Sequence, residues 1–211
     1  MPPTRLASIA VALALAVTGC SGGDDDDTAA EKGDAETSSA EFAKPAVELE
    51  VVKADLVSPH RPLSPLEEPT KTEVTELVED LLLITSAGPL SVGKAGGGFA
   101  DLFTPDAGAR AAGDDRDVVF DEEVPRFGEL RQDEATLELM GLAGSMDPAT
   151  SLVVAVYHWS VASMERPSDR IERKGELHLV RDGGEWKIGA YVLAVTRTVD
   201  DETTTTTAES G

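Results

Sequence analysis

The sequence predicts an α+β domain in which helices come first and a curved antiparallel sheet follows. Two observations carry that reading: an apolar stripe at helical spacing between residues 70 and 87, and four Val- and Leu-rich segments, divided by turn residues, after residue 135. A third bounds it. With one Cys in 211 residues there is no internal disulfide and no Cys/His array for structural zinc, so the fold rests on its apolar core. The length suits one domain with extended ends. Forty acidic residues against 18 basic ones give a net charge of −22, which excludes nucleic acid, because phosphate binding needs clustered Lys and Arg to displace counterions.

At the N-terminus Arg5 precedes an apolar run over residues 6–17, about half of what crosses a bilayer and the right length for an export signal. The run ends in Val17-Thr18-Gly19-Cys20, which resembles the lipobox of bacterial lipoproteins, an aliphatic residue and small residues before the Cys that receives diacylglycerol. The resemblance implies a signal peptide over 1–19, cleavage before Cys20 and lipidation of Cys20. Two or three acyl chains, at about 0.8 kcal/mol per buried methylene, would hold the protein to the cell membrane. Residues 21–44 carry eight acids against two lysines and almost no large apolar side chain, so 20–44 is expected to be a disordered acidic tether that extends by self-repulsion. The Asp24–Asp27 run lacks the alternating ligands and turn glycine of a calcium loop. At the other end, the polar, Thr-rich residues 200–211 are expected to be disordered, leaving one domain over 45–199.

Inside that domain, residues 46–57 are strand-like and expected at a sheet edge, before a Pro-rich stretch over 59–69. Thr70 to Ala87 reads as the main helix. Val74, Leu77, Val78, Leu81 and Leu82 form one buried stripe, Thr70 and Glu73 fit a capping box, and Gly88-Pro89 is expected to stop the helix. Phe99 to Phe103 suggests a short helix. Thr104-Pro105 is the N-cap and first position of another, closed by Gly113. The stretch from Gly88 to Lys94 matches the GxxxxGK of a phosphate loop, but Ala95 replaces the magnesium-binding hydroxyl and the segment follows a helix instead of a strand; a flexible, Gly-rich loop is expected.

The four strands are expected over 136–144, 150–163, 170–180 and 185–199. With Gly183-Gly184 as a two-residue turn, Asp182 pairs with Glu185, Leu179 with Ile188 and Leu177 with Ala190, so apolar meets apolar. A turn centred near Pro167 puts Ile171, Leu177 and Leu179 on the face of Val161, Trp159, Tyr157 and Val153. A loop centred near Asp147 adds Leu137 and Leu139.

The leading amphipathic helix, the Asp101-Leu102-Phe103-Thr104-Pro105 passage and the glycine hairpin followed by Trp186-Lys187-Ile188 together resemble the nuclear transport factor two-like superfamily over roughly residues 70–198. That resemblance implies a cone: N-terminal helices packed on the concave face of the sheet, with a pocket between them. The expected pocket lining is Tyr157, Trp159, Leu177, Leu179, Trp186 and Ile188. Enzymes of the superfamily place an Asp, His or Tyr inside the cone, and many members carry none. No residue here aligns one for one with those sets, so no catalytic residue is assigned, and Tyr157 and Asp101 stand as candidates for a donor beside a carboxylate base.

On the opposite sheet face the same register gathers His158, Glu176, His178 and Tyr191, with Glu176 opposite both His158 and Tyr191. Two imidazoles and a carboxylate are zinc-type ligands, but Glu172, Lys174 and Lys187 share that face, as an exposed surface would, so a surface or dimer contact is expected ahead of a metal site. No cofactor is implied. The expected protein is an exported lipoprotein, anchored to the bacterial cell membrane through Cys20, that binds a small apolar ligand or an envelope protein without catalysis and could pair with a second copy. The alternative is a cone-fold envelope enzyme of isomerase, dehydratase or hydrolase type using Tyr157 and Asp101.

Overall fold

The computed structural model describes residues 46–59, 61–93, 96–144, 149–200 and 202–210, all within the compact unit Glu41–Gly211. The export signal, Cys20 and the acidic spacer lie outside the described residues. The chain runs β1 (Glu50–Ser58), β2 (Arg61–Pro65), α1 (Glu68–Leu82), α2 (Gly88–Val92), α3 (Pro105–Ala112), α4 (Arg116–Val119), β3 (Leu130–Ala143), β4 (Thr150–Ser163), β5 (Arg170–Asp182), β6 (Glu185–Val199) and β7 (Glu202–Ser210). The strands form one seven-stranded curved sheet in the order β2-β1-β3-β4-β5-β6-β7, antiparallel throughout except for β1 against β3. The helices bury their apolar stripes against one face of it in a single core.

α1 starts two residues before Thr70. Its N-cap is Glu67 and Thr70 makes no capping bond; Pro69 sits in the first turn, where its missing N–H costs nothing, and Thr70 is buried instead. The helix also does not stop at Ala87. It widens through a π-helical turn, Leu83–Ala87, and continues as α2 until Gly93 takes the left-handed conformation at φ 74°. Pro89 has no N–H to give Thr85, four residues back, and the Thr85 carbonyl accepts the amide of Asp121 at 2.9 Å. The expected breaker is thus absorbed by a wider turn and a tertiary hydrogen bond. Phe99–Leu102 is a 3₁₀ turn, and α3 has Thr104 at its N-cap, Pro105 next and Gly113 at its end.

The hairpin joining β5 and β6 has Gly183 and Gly184 at φ 62° and 96°, which only glycine adopts without strain, and Asp182 faces Glu185. Leu179 pairs with Ile188. Beyond that point the register departs from the expected one: His178 faces Ala190 and Leu177 faces Tyr191, because Gly189 is an extra residue in β6. The bulge turns Tyr191 from the outer face to the core, where it is 1% exposed. Between β4 and β5 the pairing sets His158 opposite Lys174 and Val156 opposite Glu176, two residues off the expected alignment but on the same faces. The β3–β4 register puts Leu137 opposite Tyr157 and Leu139 opposite Ala155.

Two ends of the sheet also differ from the expectation. β1 is not an edge, because the short Pro-bearing β2 lies outside it. Residues 202–210 are not disordered: β7 pairs with β6 from Val199–Glu202 to Tyr191–Ser210. Low complexity concealed a run of β-branched Thr, which favours strand, and Tyr191 N–H and Arg197 fasten that strand through Ser210 Oγ and Thr206 Oγ1. The domain therefore extends through Ser210.

Candidate functional site

The core face of β4, β5 and β6 alternates apolar residues with two arginines, Arg173 on β5 and Arg197 on β6. Parity along β5 places Ile171, Arg173, Gly175, Leu177 and Leu179 inward, and Arg173 is 2% exposed beneath the helical segment. Its Nε and Nη2 donate to Asp121 Oδ2 at 2.9 and 2.7 Å, and its Nη1 donates to the Val118 carbonyl at 3.1 Å. Arg197 closes the other side: its Nε donates to Asp121 Oδ1 at 2.7 Å, and its Nη2 to the carbonyls of Asp117 and Phe120. The buried Asp121 carboxylate thus holds two guanidiniums from β5 and β6, and the backbone amide of Asp121 ties the segment after α4 to Thr85 in the π-helical turn that follows α1. Paired and fully hydrogen-bonded, these charges are tolerable in the interior where a lone one would not be.

Tyr157 lies beside this network, 2% exposed, its ring across Gly175. Burial pushes its phenol up to about 12, opposed by the charge of Arg173. Trp159, Leu177, Leu179, Trp186 and Ile188 are each no more than 5% exposed and belong to the same packed core. Trp159 Nε1 donates to Gln132 Oε1 at 3.0 Å, and Arg181 stacks on the Trp186 ring at 4.5 Å.

Asp101 is exposed on the 3₁₀ turn, and its carbonyl accepts a hydrogen bond from Lys187 Nζ. It lines a surface groove of about 380 Å³ with Trp186 and α1 residues Glu73, Glu76 and Asp80. Lys187 adjoins Ile188, which is in line with Leu179 and Val153; Tyr157 lies four residues further along β4, or about 13 Å. The structure does not bring Tyr157 and Asp101 together.

On the outer face the three proposed metal ligands fall into two separate groups, His158 with other glutamates and His178 with Glu176. His158 Nδ1 reaches Glu134 at 2.7 Å and Nε2 reaches Glu172 at 2.9 Å, whereas His178 Nε2 reaches Glu176 at 2.7 Å. Lys174, and then His158, hold the Glu172 carboxyl below its ordinary value. Among the described residues no group of three or more His, Cys, Asp and Glu converges as a metal site. The two-residue offset between β4 and β5 moves Glu176 away from His158, and the Gly189 bulge removes Tyr191 from this face altogether.

What the outer face does present is a strip of exposed apolar side chains crossing the sheet: Val57, Met140, Val156 and Val192, with Val156 45% exposed. Val156, Val192 and Ala194 floor a shallow groove of about 380 Å³ rimmed by Glu138, His158, Lys174 and Glu176. A second groove of about 130 Å³, between Leu63, Val57, Met140 and Val154, shares Glu138 and Val156 with it. An apolar centre thus lies within a polar, mixed-charge rim. Alternation in β3 and β4 could have revealed this strip, since Met140, Val154 and Val156 fall on the face opposite the core.

Comparison of the chain with models of known protein families, with curated proteins and with solved structures finds no match.

Proposed function

We propose that this chain is an exported lipoprotein, fixed to the bacterial cell membrane through Cys20, whose α+β domain binds an envelope protein through the outer face of its sheet and performs no catalysis. The observation that carries the reading is a pairing of opposites. Tyr157, Trp159, Trp186 and Ile188 pack the interior, while Met140, Val156 and Val192 stand in solvent around a shallow groove. A cone of the nuclear transport factor two-like kind closed in this way keeps the fold and gives up the pocket, and function then moves to the surface. Separation of Tyr157 from Asp101 supports the non-catalytic reading.

The test uses the full chain in its own envelope. Detergent-solubilised membranes are run by native electrophoresis for the wild type and for Val156→Lys and Val192→Lys, both at exposed positions opposite Glu176, where the new charge meets an opposite one. The reading expects a complex larger than the chain and its self-associated forms, lost in both variants, with the chain still in the membrane fraction. A complex of unchanged size in both variants would overturn it.

A further inference from the structure

We propose that two copies of this chain join edge to edge through β7, antiparallel, in a register centred on Thr206. The two edges of the sheet are built differently. β2 is five residues long and carries Pro62, Pro65 and Arg61, devices that block strand addition. β7 is nine residues long with no Pro, no Lys or Arg and an unbroken register against β6, so none of those devices blocks its outer edge. Glu202 to Thr205, Thr207 and Glu209 are exposed, and among the described residues no strand lies beyond β7. A side chain takes one of its backbone carbonyls, that of Glu209, which accepts from Arg110 Nη2 at 2.8 Å near one end.

The sequence of β7 selects a second copy as the occupant. Centred on Thr206, Glu202 faces Ser210 of the other copy, Thr203 faces Glu209, Thr204 faces Ala208 and Thr205 faces Thr207. No acid opposes an acid, which matters in a chain of net charge −22. The Thr run also supplies β-branched side chains and hydroxyls that already pair across strands, Thr196 with Thr205 at 3.1 Å and Thr198 with Thr203 at 3.0 Å. A two-fold axis through Thr206, normal to the sheet, leaves both outer faces on the same side, so a dimer offers two docking strips in one continuous sheet. The pairing stands whether or not those strips bind a partner.

The register is tested in the full chain, in detergent, by sedimentation equilibrium. Thr205→Glu with Thr207→Glu sets like charges opposite each other across the axis, and Thr205→Lys with Thr207→Glu sets opposite charges there; both lose the same Thr196 hydroxyl contact. The expected result is a wild-type dimer that tightens as salt screens the acidic chains, weakens at least about tenfold in the Glu/Glu variant and recovers in the Lys/Glu variant. In parallel, Thr206→Cys is expected to form a disulfide with its own copy, and Thr203→Cys, which faces Glu209, is not. A monomer at every concentration, a dimer indifferent to these substitutions, or a Thr206→Cys adduct with a different protein would each overturn the proposal.

Discussion

The Tyr157 ring lies so close to Gly175 that a Cβ at Gly175 would sit 2.2 Å from Cε1 and 2.5 Å from Cζ. The two residues face each other across β4 and β5, and the missing side chain of one is the space the other fills. Gly175→Ala is therefore expected to destabilise the domain by about 3 kcal/mol, the upper end for overpacking, because the buried ring has nowhere to move. Denaturant unfolding of Gly175→Ala, Tyr157→Leu and the double variant checks it. The double variant is expected to be more stable than the sum of the singles.

Burial of Tyr157 also sets a pH dependence. Its phenol ionises near 10 in the unfolded chain and at about 12 in the folded one, so between those values the unfolded state loses a proton that the native state keeps. Stability is then whole below pH 10 and declines as pH rises toward 12, by roughly 3 kcal/mol for two units. Tyr191 adds to the same trend, raised by burial and by its hydrogen bond to Asp115 at 2.7 Å. Tyr157→Phe is expected to flatten the alkaline limb of a stability-against-pH curve, and an unchanged limb would contradict the burial.

Asp121 is the carboxylate on which two guanidiniums depend. Asp121→Ala would leave Arg173 buried without its counter-charge and is expected to cost about 3–5 kcal/mol. Arg173→Met leaves Asp121 paired with Arg197 and is expected to cost less. Equal losses in urea unfolding would show that the two arginines do not share the carboxylate as described.

Helix period, hairpin and strand alternation were legible in the sequence because each is a local property: Val74 to Leu82 at helical spacing, Gly183-Gly184 as a turn, Leu177 and Leu179 inward. The failures are non-local. Nothing near Gly189 announces a bulge, yet one extra residue carries Tyr191 through the sheet. Pro89 reads as a breaker until the π-helical turn and the Asp121 amide are known. Arg173 was readable by parity with Ile171 and Leu177, but a charge is not expected inside without its partner, and Asp121 comes from a segment about 50 residues away. The Thr-rich tail has the polar, repetitive composition of a disordered segment, but its β-branched side chains favour the strand it forms.

The proposed lipidation of Cys20 gives a prediction independent of the fold. Cys20→Ser is expected to leave the signal uncleaved at that position and the chain without diacylglycerol, so that N-terminal mass spectrometry of the membrane fraction loses the lipidated Cys20 peptide. An unmodified Cys20 in the wild type would contradict the anchor.

The most direct test of surface docking with a closed interior is site-specific photocrosslinking in the full chain within its native membranes, with the reactive residue at Val156, at Val192 or, as a control, at the exposed hairpin residue Glu185. The account predicts one discrete protein adduct, the same at Val156 and Val192 and absent at Glu185. No adduct at either strand position, or equal labelling at all three, would contradict it.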